Sequence, residues 1–381
     1  MNLNAALASA KEIASKTLAG AAAANDKSAR FSTEGLAALS GAGLMGLIIP
    51  AERGGAGLGP RAFAAVTTEL AQADASVAMV YVMHIMGTAC LLNAVKTAKT
   101  DAVTADIAAG KHLTTLAWSE QGSRSHFWAP ISKVEKAGDT LRLTARKSWV
   151  TSAGFANSYC VSALRPNASG PTDSNLYLVD GKARGLKVGA PWDGMGLRAN
   201  ASSPVTLEGI ELTNAMQLTE DGKGFDAMLG WVLPLFNLGV SCVALGLCRA
   251  AVGATVTHLK TATFEHLGAK LGEALPTLRQ HLATMQILTD GLSARIDEYV
   301  ASLESPDATT QLKCLEAKAA AGEVSIEVTS LAMRCCGGAA FSKHTSIDRF
   351  FRDAHAGAVM APTGDVLREF IGRALLGMPL F

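Results

Sequence analysis

The sequence predicts an α+β protein that is mainly α-helical, with a small β-domain inserted between two helical regions. Long segments rich in Ala and Leu, with helix-like spacing of apolar residues, occupy both ends of the chain. Near the middle, Leu141, Leu143 and Ala145 alternate with polar residues, which is typical of a strand with one buried face. We therefore predict an N-terminal helical domain over residues 1–114, a central β-domain over 115–218 and a C-terminal helical domain over 219–381.

The composition indicates a well-buried globular protein. The chain has 381 residues, of which 49% are hydrophobic and 18% charged, with a net charge of +1. This balance gives no electrostatic reason to expect nucleic acid or an anionic membrane as a partner. The start of the sequence has no signal-peptide pattern, and no apolar run of about 18 residues is free of polar interruption. We expect a soluble cytoplasmic protein.

The seven cysteines indicate reduced, buried thiols, because their number is odd and none lies in a C-x-x-C pair. The histidines and acidic residues show no metal-ligand spacing. We therefore expect no metal site.

The N-terminal region predicts several helices. Ser32, Thr33 and Glu34 are typical of a helix start, and the cluster of Gly and Pro over residues 43–57 predicts a structural loop. Apolar spacing predicts a helix pair over residues 61–98. His84 lies in an apolar run of that pair and is either a core residue or a catalytic candidate.

The middle of the chain predicts short strands separated by Gly, Pro and Asn turns. The predicted strands are Ser158–Leu164, Asn175–Val179, Leu186–Val188 and Pro204–Leu212. No Rossmann fingerprint follows a strand. Beyond this region, residues 240–254 predict a tightly packed helix of small residues.

Two segments of the β-domain resemble motifs of the acyl-CoA dehydrogenase flavoproteins. Residues 118–126 read WSEQGSRSH and residues 145–151 read ARKSWVT; they are similar to the family patterns L-T-E-P-G-A-G-S-D and G-x-K-x-W-I-T. Further similar segments follow at residues 194–199, 264–268, 335–338, 349–354 and 360–365, in the family's order. The resemblance therefore covers essentially the whole chain.

The resemblance implies a β-barrel-like central domain, a C-terminal four-helix bundle and an FAD cofactor bound without a Rossmann fold. It also implies a homotetramer or homodimer, because the family completes its flavin site with residues of a neighbouring subunit. The other partners implied are a small-molecule substrate, such as an acyl-CoA thioester, and an electron acceptor or a flavin reductase. The residues expected to bind the cofactor are Leu116, Trp118, Ser119, Gly122, Ser125, Trp149, Val150, Thr151, Leu267, Arg334, Gly337, Gly338, Thr363 and Asp365.

The resemblance fails at the residue that performs the family's chemistry. A glutamate removes the α proton of the thioester in that family, but Ala361 occupies its usual position, and Phe236 and Asn237 occupy the alternative one. A base must lie within hydrogen-bond reach of the proton that it removes. The remaining candidates for a base are His84, Glu120 and Asp365. The substrate is expected to contact Ser125, Phe236, Asn237 and Ala361.

Three functions remain open from the sequence. The chain oxidises an acyl thioester between its α and β carbons with a relocated base. Alternatively, it performs a different flavin reaction, such as monooxygenation, which needs a dry pocket but no glutamate. The third possibility is a non-catalytic relative that binds flavin.

Overall fold

The computed structural model describes residues 1–124, 126–138 and 140–380. The N-terminal region is helical, as the sequence predicts, and the hydroxyl of Ser32 accepts a hydrogen bond from the Gly35 amide at 3.3 Å, which confirms the predicted helix start. Its helices are α1 Leu3–Ile13, continued by a π-helical segment Ala14–Leu18, α2 Ala19–Ser28, α3 Thr33–Gly41, α4 Pro60–Ala73, α5 Ala75–Asn93 and α6 Ala98–Ala108.

The glycine-rich loop between α3 and α4 is structural. A Cβ atom added at Gly55 would lie 2.2 Å from the carbonyl oxygen of Ile49, so the close approach of the two backbones requires glycine. No residue of this loop lines the large cavity described below.

The central region forms a seven-stranded sheet that packs against α5. Strand β3 pairs antiparallel with β2 and β7, while β4 pairs parallel with β1 and antiparallel with β5. Leu143 and Ala145 are buried as the alternation predicts. The strands are β1 Thr114–Ala117, β2 Lys133–Ala137, β3 Thr140–Val150, β4 Ser158–Leu164, β5 Ser174–Asp180, β6 Leu186–Val188 and β7 Ser203–Leu212.

The C-terminal region is helical again, with α10, α11 and α12 packed against α8. Its elements are α7 Gly224–Ala227, a π-helical segment Met228–Val232, α8 Leu233–Thr261, β8 Thr263–Phe264, β9 Ala269–Lys270, α9 Leu271–Ala274, α10 Pro276–Glu304, α11 Thr310–Phe341, α12 Ile347–Val359 and α13 Gly364–Leu375. The mainly helical fold with a central sheet is therefore confirmed.

Two helical stretches, Ala75–Asn93 and Gly224–Thr261, are long and apolar enough to cross a membrane by length and composition alone. In the fold, 89% and 72% of their most apolar windows are buried, which is how core helices of globular proteins are placed. The seven cysteines are all free and buried, as predicted.

Candidate functional site

Trp149 is turned outward by an irregularity in the sheet. The register between β3 and β7 shifts between Lys147 and Val150, and Trp149 adopts φ 55°, a value that is uncommon for a bulky residue. Its side chain is 56% exposed, although Lys147 and Val150 on the same strand are buried. A bulge that re-aims a side chain at a cost in backbone strain is typical of a functional site.

The indole of Trp149 borders a cavity of about 990 Å³ between the sheet, α5, α8 and the segment after α12. The polar wall of the cavity comes from the β-domain, and the opposite side is apolar. Of the residues predicted to contact cofactor or substrate, the cavity is lined by Leu116, Trp118, Ser119, Trp149, Thr151, Phe236, Ala361 and Thr363.

A buried ion pair holds the polar wall together. Lys147 Nζ lies 2.5 Å from Glu120 Oε1, and the two side chains are 0% and 1% exposed. The ammonium also donates to the carbonyl oxygens of Ser162 at 2.6 Å and Trp118 at 3.3 Å. The pair therefore joins the turn after β1 to strand β3.

Glu120 is consequently a structural residue and not the relocated base. Its carboxylate accepts the amides of Ile131 at 2.7 Å and Ser132 at 3.1 Å in addition to Lys147. Burial would raise the pKa of Glu120, but the charge of Lys147 and these hydrogen bonds hold the pKa below its usual value. An ionised carboxylate with its acceptor sites occupied is not free to remove a proton from a substrate.

The polar wall fits a flavin. Trp118 Nε1 and Ser148 Oγ are buried without a hydrogen-bond partner among the described residues, and both residues line the cavity. Buried polar atoms are rarely left without a partner, so these two indicate a bound polar group. The isoalloxazine ring needs a flat apolar surface, which the indole of Trp149 supplies on this wall, and a few placed hydrogen-bond donors. The ring would supply redox chemistry when bound.

The apolar side of the cavity comes from α5, the start of α8 with the residue before it, and the segment after α12. Met79 and Met83 lie on α5, Val232 ends the π-helical segment, Leu233 and Phe236 lie on α8, and Met360 and Ala361 follow α12. No Asp, Glu or His lies among the described residues that line the cavity. The arrangement can hold an apolar substrate, but it lacks a carboxylate base.

His84 and Asp365 do not replace the missing base. His84 is fully buried, with Nε2 3.0 Å from the carbonyl oxygen of Met45 and Nδ1 accepting the amide of Thr114 at 3.2 Å. Burial lowers the pKa of His84 to about 4, so the ring is a neutral core group. Asp365 is exposed in the first turn of α13 and does not line the cavity.

Several other predicted site residues also lie outside the cavity. Val150 is buried in the core, and Gly122 packs close to Ile131. Asn237 is fully buried and donates to the carbonyl oxygen of Cys314 at 3.3 Å; unlike its neighbour Phe236, it does not line the cavity. None of these three residues lines the cavity of its own chain, so their contacts with cofactor or substrate stay predictions; Ser125 lies outside the described residues.

Four of the residues predicted near the flavin from the C-terminal motifs are exposed and lie outside the cavity lining. Leu267 is 59% exposed in the β8–β9 hairpin, and Arg334, Gly337 and Gly338 are exposed on α11, where Gly337 leaves the helical conformation. None of them lines the cavity of its own chain.

Lys318 is a site-forming residue that the sequence analysis missed. Its ammonium is buried behind the cavity and donates to the carbonyl oxygens of Met360 at 2.9 Å and Pro362 at 2.6 Å. Burial lowers its pKa to about 7. Lys318 therefore fastens the segment that presents Ala361 to the cavity.

The helix–sheet–helix architecture, together with a cavity that joins a flavin-type wall to an apolar substrate side, defines a flavin-dependent oxidoreductase. Three family profiles cover nearly all of the sequence: acyl-CoA dehydrogenase N-terminal domain at residues 3–111, middle domain at 115–210 and C-terminal domain at 222–376. The chain belongs to the acyl-CoA dehydrogenase family, whose members are flavoproteins.

Similar proteins match over the whole length. "Probable acyl-CoA dehydrogenase fadE25" of Mycobacterium leprae is 26% identical over 97% of this chain and 94% of its own. Butyryl-CoA dehydrogenase from Megasphaera elsdenii has a TM-score of 0.91 at 22% identity, covering 98% of both chains. TdsC from Paenibacillus sp. A11-2, in a complex with FMN and indole, has a TM-score of 0.88 at 20% identity, covering 98% of both chains.

Proposed function

We propose that this protein is a flavin-dependent oxidoreductase that acts on an apolar substrate without a carboxylate base. The observation that carries the proposal is the composition of the cavity, in which the described lining residues include two arginines and one lysine but no acidic residue and no histidine. The lysine, Lys147, forms a buried ion pair with Glu120. Proton removal from a carbon atom next to a thioester needs a base within reach, and the cavity supplies none.

Monooxygenation is the reaction that this geometry supports best. In that reaction one oxygen atom of O₂ enters the substrate and the other leaves as water, with the electron pair delivered through the flavin by a separate reductase. The protein has to bind the ring, place the substrate against it and exclude bulk water. The methionine and aromatic side chains opposite Trp149 suit the last two tasks.

A second candidate is the α,β-oxidation of an acyl thioester. It is supported by relatives such as the short/branched chain specific acyl-CoA dehydrogenase of Bos taurus, 25% identical over 96% of this chain. This candidate requires a base from outside the described cavity lining. His84, Glu120 and Asp365 are poor choices for the reasons given above.

One set of measurements on the purified flavin-loaded protein distinguishes the two candidate reactions. Monooxygenation predicts oxygen-dependent product formation when a flavin reductase and NADH are added, with no anaerobic bleaching of the flavin by acyl-CoA. Thioester oxidation predicts anaerobic bleaching by at least one member of an acyl-CoA panel. Bleaching at a rate typical of enzymes would overturn the monooxygenase proposal.

We also propose that the protein assembles as a homotetramer or homodimer. Large apolar side chains are exposed on the C-terminal helices, including Ile287 at 70%, Phe341 at 83% and Leu375 at 68%, and exposed apolar patches commonly mark interfaces. Assembly would place the exposed Arg334 and Gly338 next to a neighbouring cavity. Light scattering after size exclusion tests the proposal; a monomer at micromolar concentration contradicts it.

A further inference from the structure

Two arginines give the cavity a positive charge that no described residue balances. Arg124 and Arg146 both line the cavity, both are exposed, and among residues 1–124, 126–138 and 140–380 neither guanidinium has an ion-pair or hydrogen-bond partner. The third cation of the lining, Lys147, is neutralised by Glu120. Arginine side chains that border a cavity without a carboxylate partner are suited to an anionic ligand.

The fold brings the two arginines to the lining of one cavity, although 22 positions separate them in the sequence. Arg124 lies in the turn after β1, where it adopts φ 50° and its amide donates to the carbonyl oxygen of Glu120 at 3.2 Å. Arg146 lies on β3 opposite Thr206 of β7, which also lines the cavity.

The connection between these segments is rigid. The amide of Ser148 donates to the carbonyl oxygen of Ser119 at 2.9 Å, and the Glu120–Lys147 ion pair lies beneath the same junction. The backbone segments that carry both arginines are therefore held in place, while the two side chains remain free to reach a ligand. Preorganised supports of this kind reduce the entropy lost when a ligand binds.

We propose that Arg124 and Arg146 together bind a phosphate group of a ligand that occupies the cavity. The inference is independent of which reaction the flavin performs. The phosphate has two possible sources: the phosphate or diphosphate of the flavin cofactor, or the phosphates of a coenzyme A substrate.

The test compares a ligand without phosphate, riboflavin, with three that carry phosphate: FMN, FAD and coenzyme A. Full-length protein carrying Arg124→Gln, Arg146→Gln or both is titrated with riboflavin, FMN, FAD and coenzyme A, and binding is followed by flavin fluorescence or calorimetry. The matched control is Arg142→Gln, an arginine on the same strand that pairs with Glu211 outside the cavity. Thermal unfolding of each variant checks that the fold is kept.

If the phosphate belongs to the flavin, the double variant binds FAD about 10- to 100-fold more weakly, as expected for charge-assisted hydrogen bonds, while its riboflavin affinity changes little. If the phosphate belongs to the substrate, the flavin affinities are kept and the affinity for coenzyme A falls by a similar factor. Both losses should shrink as salt is raised.

The proposal is overturned if the folded double variant binds FAD, FMN and coenzyme A as tightly as the Arg142→Gln control. It is also overturned if riboflavin loses as much affinity as FAD, since the arginines would then act on the ring. None of these readouts depends on turnover, so the proposed reaction can fail while the phosphate site stands.

Discussion

The buried Glu120–Lys147 pair should tolerate the loss of both charges better than the loss of one. In Lys147→Met the carboxylate of Glu120 stays 1% exposed but loses its counter-ion, and the carbonyl oxygens of Ser162 and Trp118 lose a donor. Breaking a buried pair by removing one partner costs about 3–5 kcal/mol. We expect the free energy of unfolding to fall by about 4 kcal/mol, measured by urea unfolding followed by circular dichroism.

The double variant Glu120→Gln/Lys147→Met should recover much of that loss, because replacement of a whole buried pair is often close to neutral. The matched control is Lys187→Met, which breaks the exposed pair with Glu208, whose side chains are 65% and 53% exposed; pairs of this kind contribute at most about 1 kcal/mol.

Flavin content should follow the same order, since the pair joins the two segments that wall the cavity. The reasoning is refuted if Lys147→Met costs no more than Lys187→Met, or if the double variant is as unstable as the single one.

Three further predictions concern the site. Burial raises the pKa of Asp353, which accepts the amide of Leu197 at 2.7 Å, to about 7 from 3.8. Its stabilising contribution should therefore be present below pH 4 and be lost by pH 7, amounting to about 4 kcal/mol at 1.4 kcal/mol per unit; the difference in unfolding free energy between wild type and Asp353→Asn across this range measures it, and a constant difference contradicts the assignment. Trp149→Ala should weaken the binding of riboflavin and FAD alike by about tenfold through lost ring contact, measured by fluorescence titration; Val95→Ala, which shortens an exposed apolar side chain outside the cavity lining, is the control, and equal effects of the two would exclude the stacking role. Ala361→Glu should raise thioester oxidation about 100-fold or more if the cavity still holds an acyl thioester against the flavin, measured by anaerobic flavin bleaching; an unchanged rate would show that the substrate is placed differently.

The sequence is informative about this protein wherever the signal is local. The strands Ser158–Leu164 and Leu186–Val188 were predicted at the bounds that the structure has, because turn residues flank short β-branched or alternating runs. Trp149 and Thr151 were found through a motif only a few residues long, and both line the cavity.

The sequence misleads where function depends on contacts between distant segments. Glu120 is an isolated acid in a polar turn, and only the fold shows that Lys147 neutralises it. Lys318 follows Lys313 on a helix that carries several charges, so it resembles a solvated residue. Met79 and Met83 belong to a helix that is buried almost all round, and a uniform apolar pattern cannot indicate which side meets a cavity.

Lys318 attaches the segment after α12 through main-chain atoms alone. This attachment affects which substitutions the site can accept during evolution. The ammonium holds the main-chain oxygens on either side of Ala361 and makes no demand on the side chain between them. Replacement at that position can therefore alter reactivity without disturbing the local architecture. A scaffold fastened in this way can lose one chemistry and acquire another by a single codon change, while its ring-binding wall stays intact.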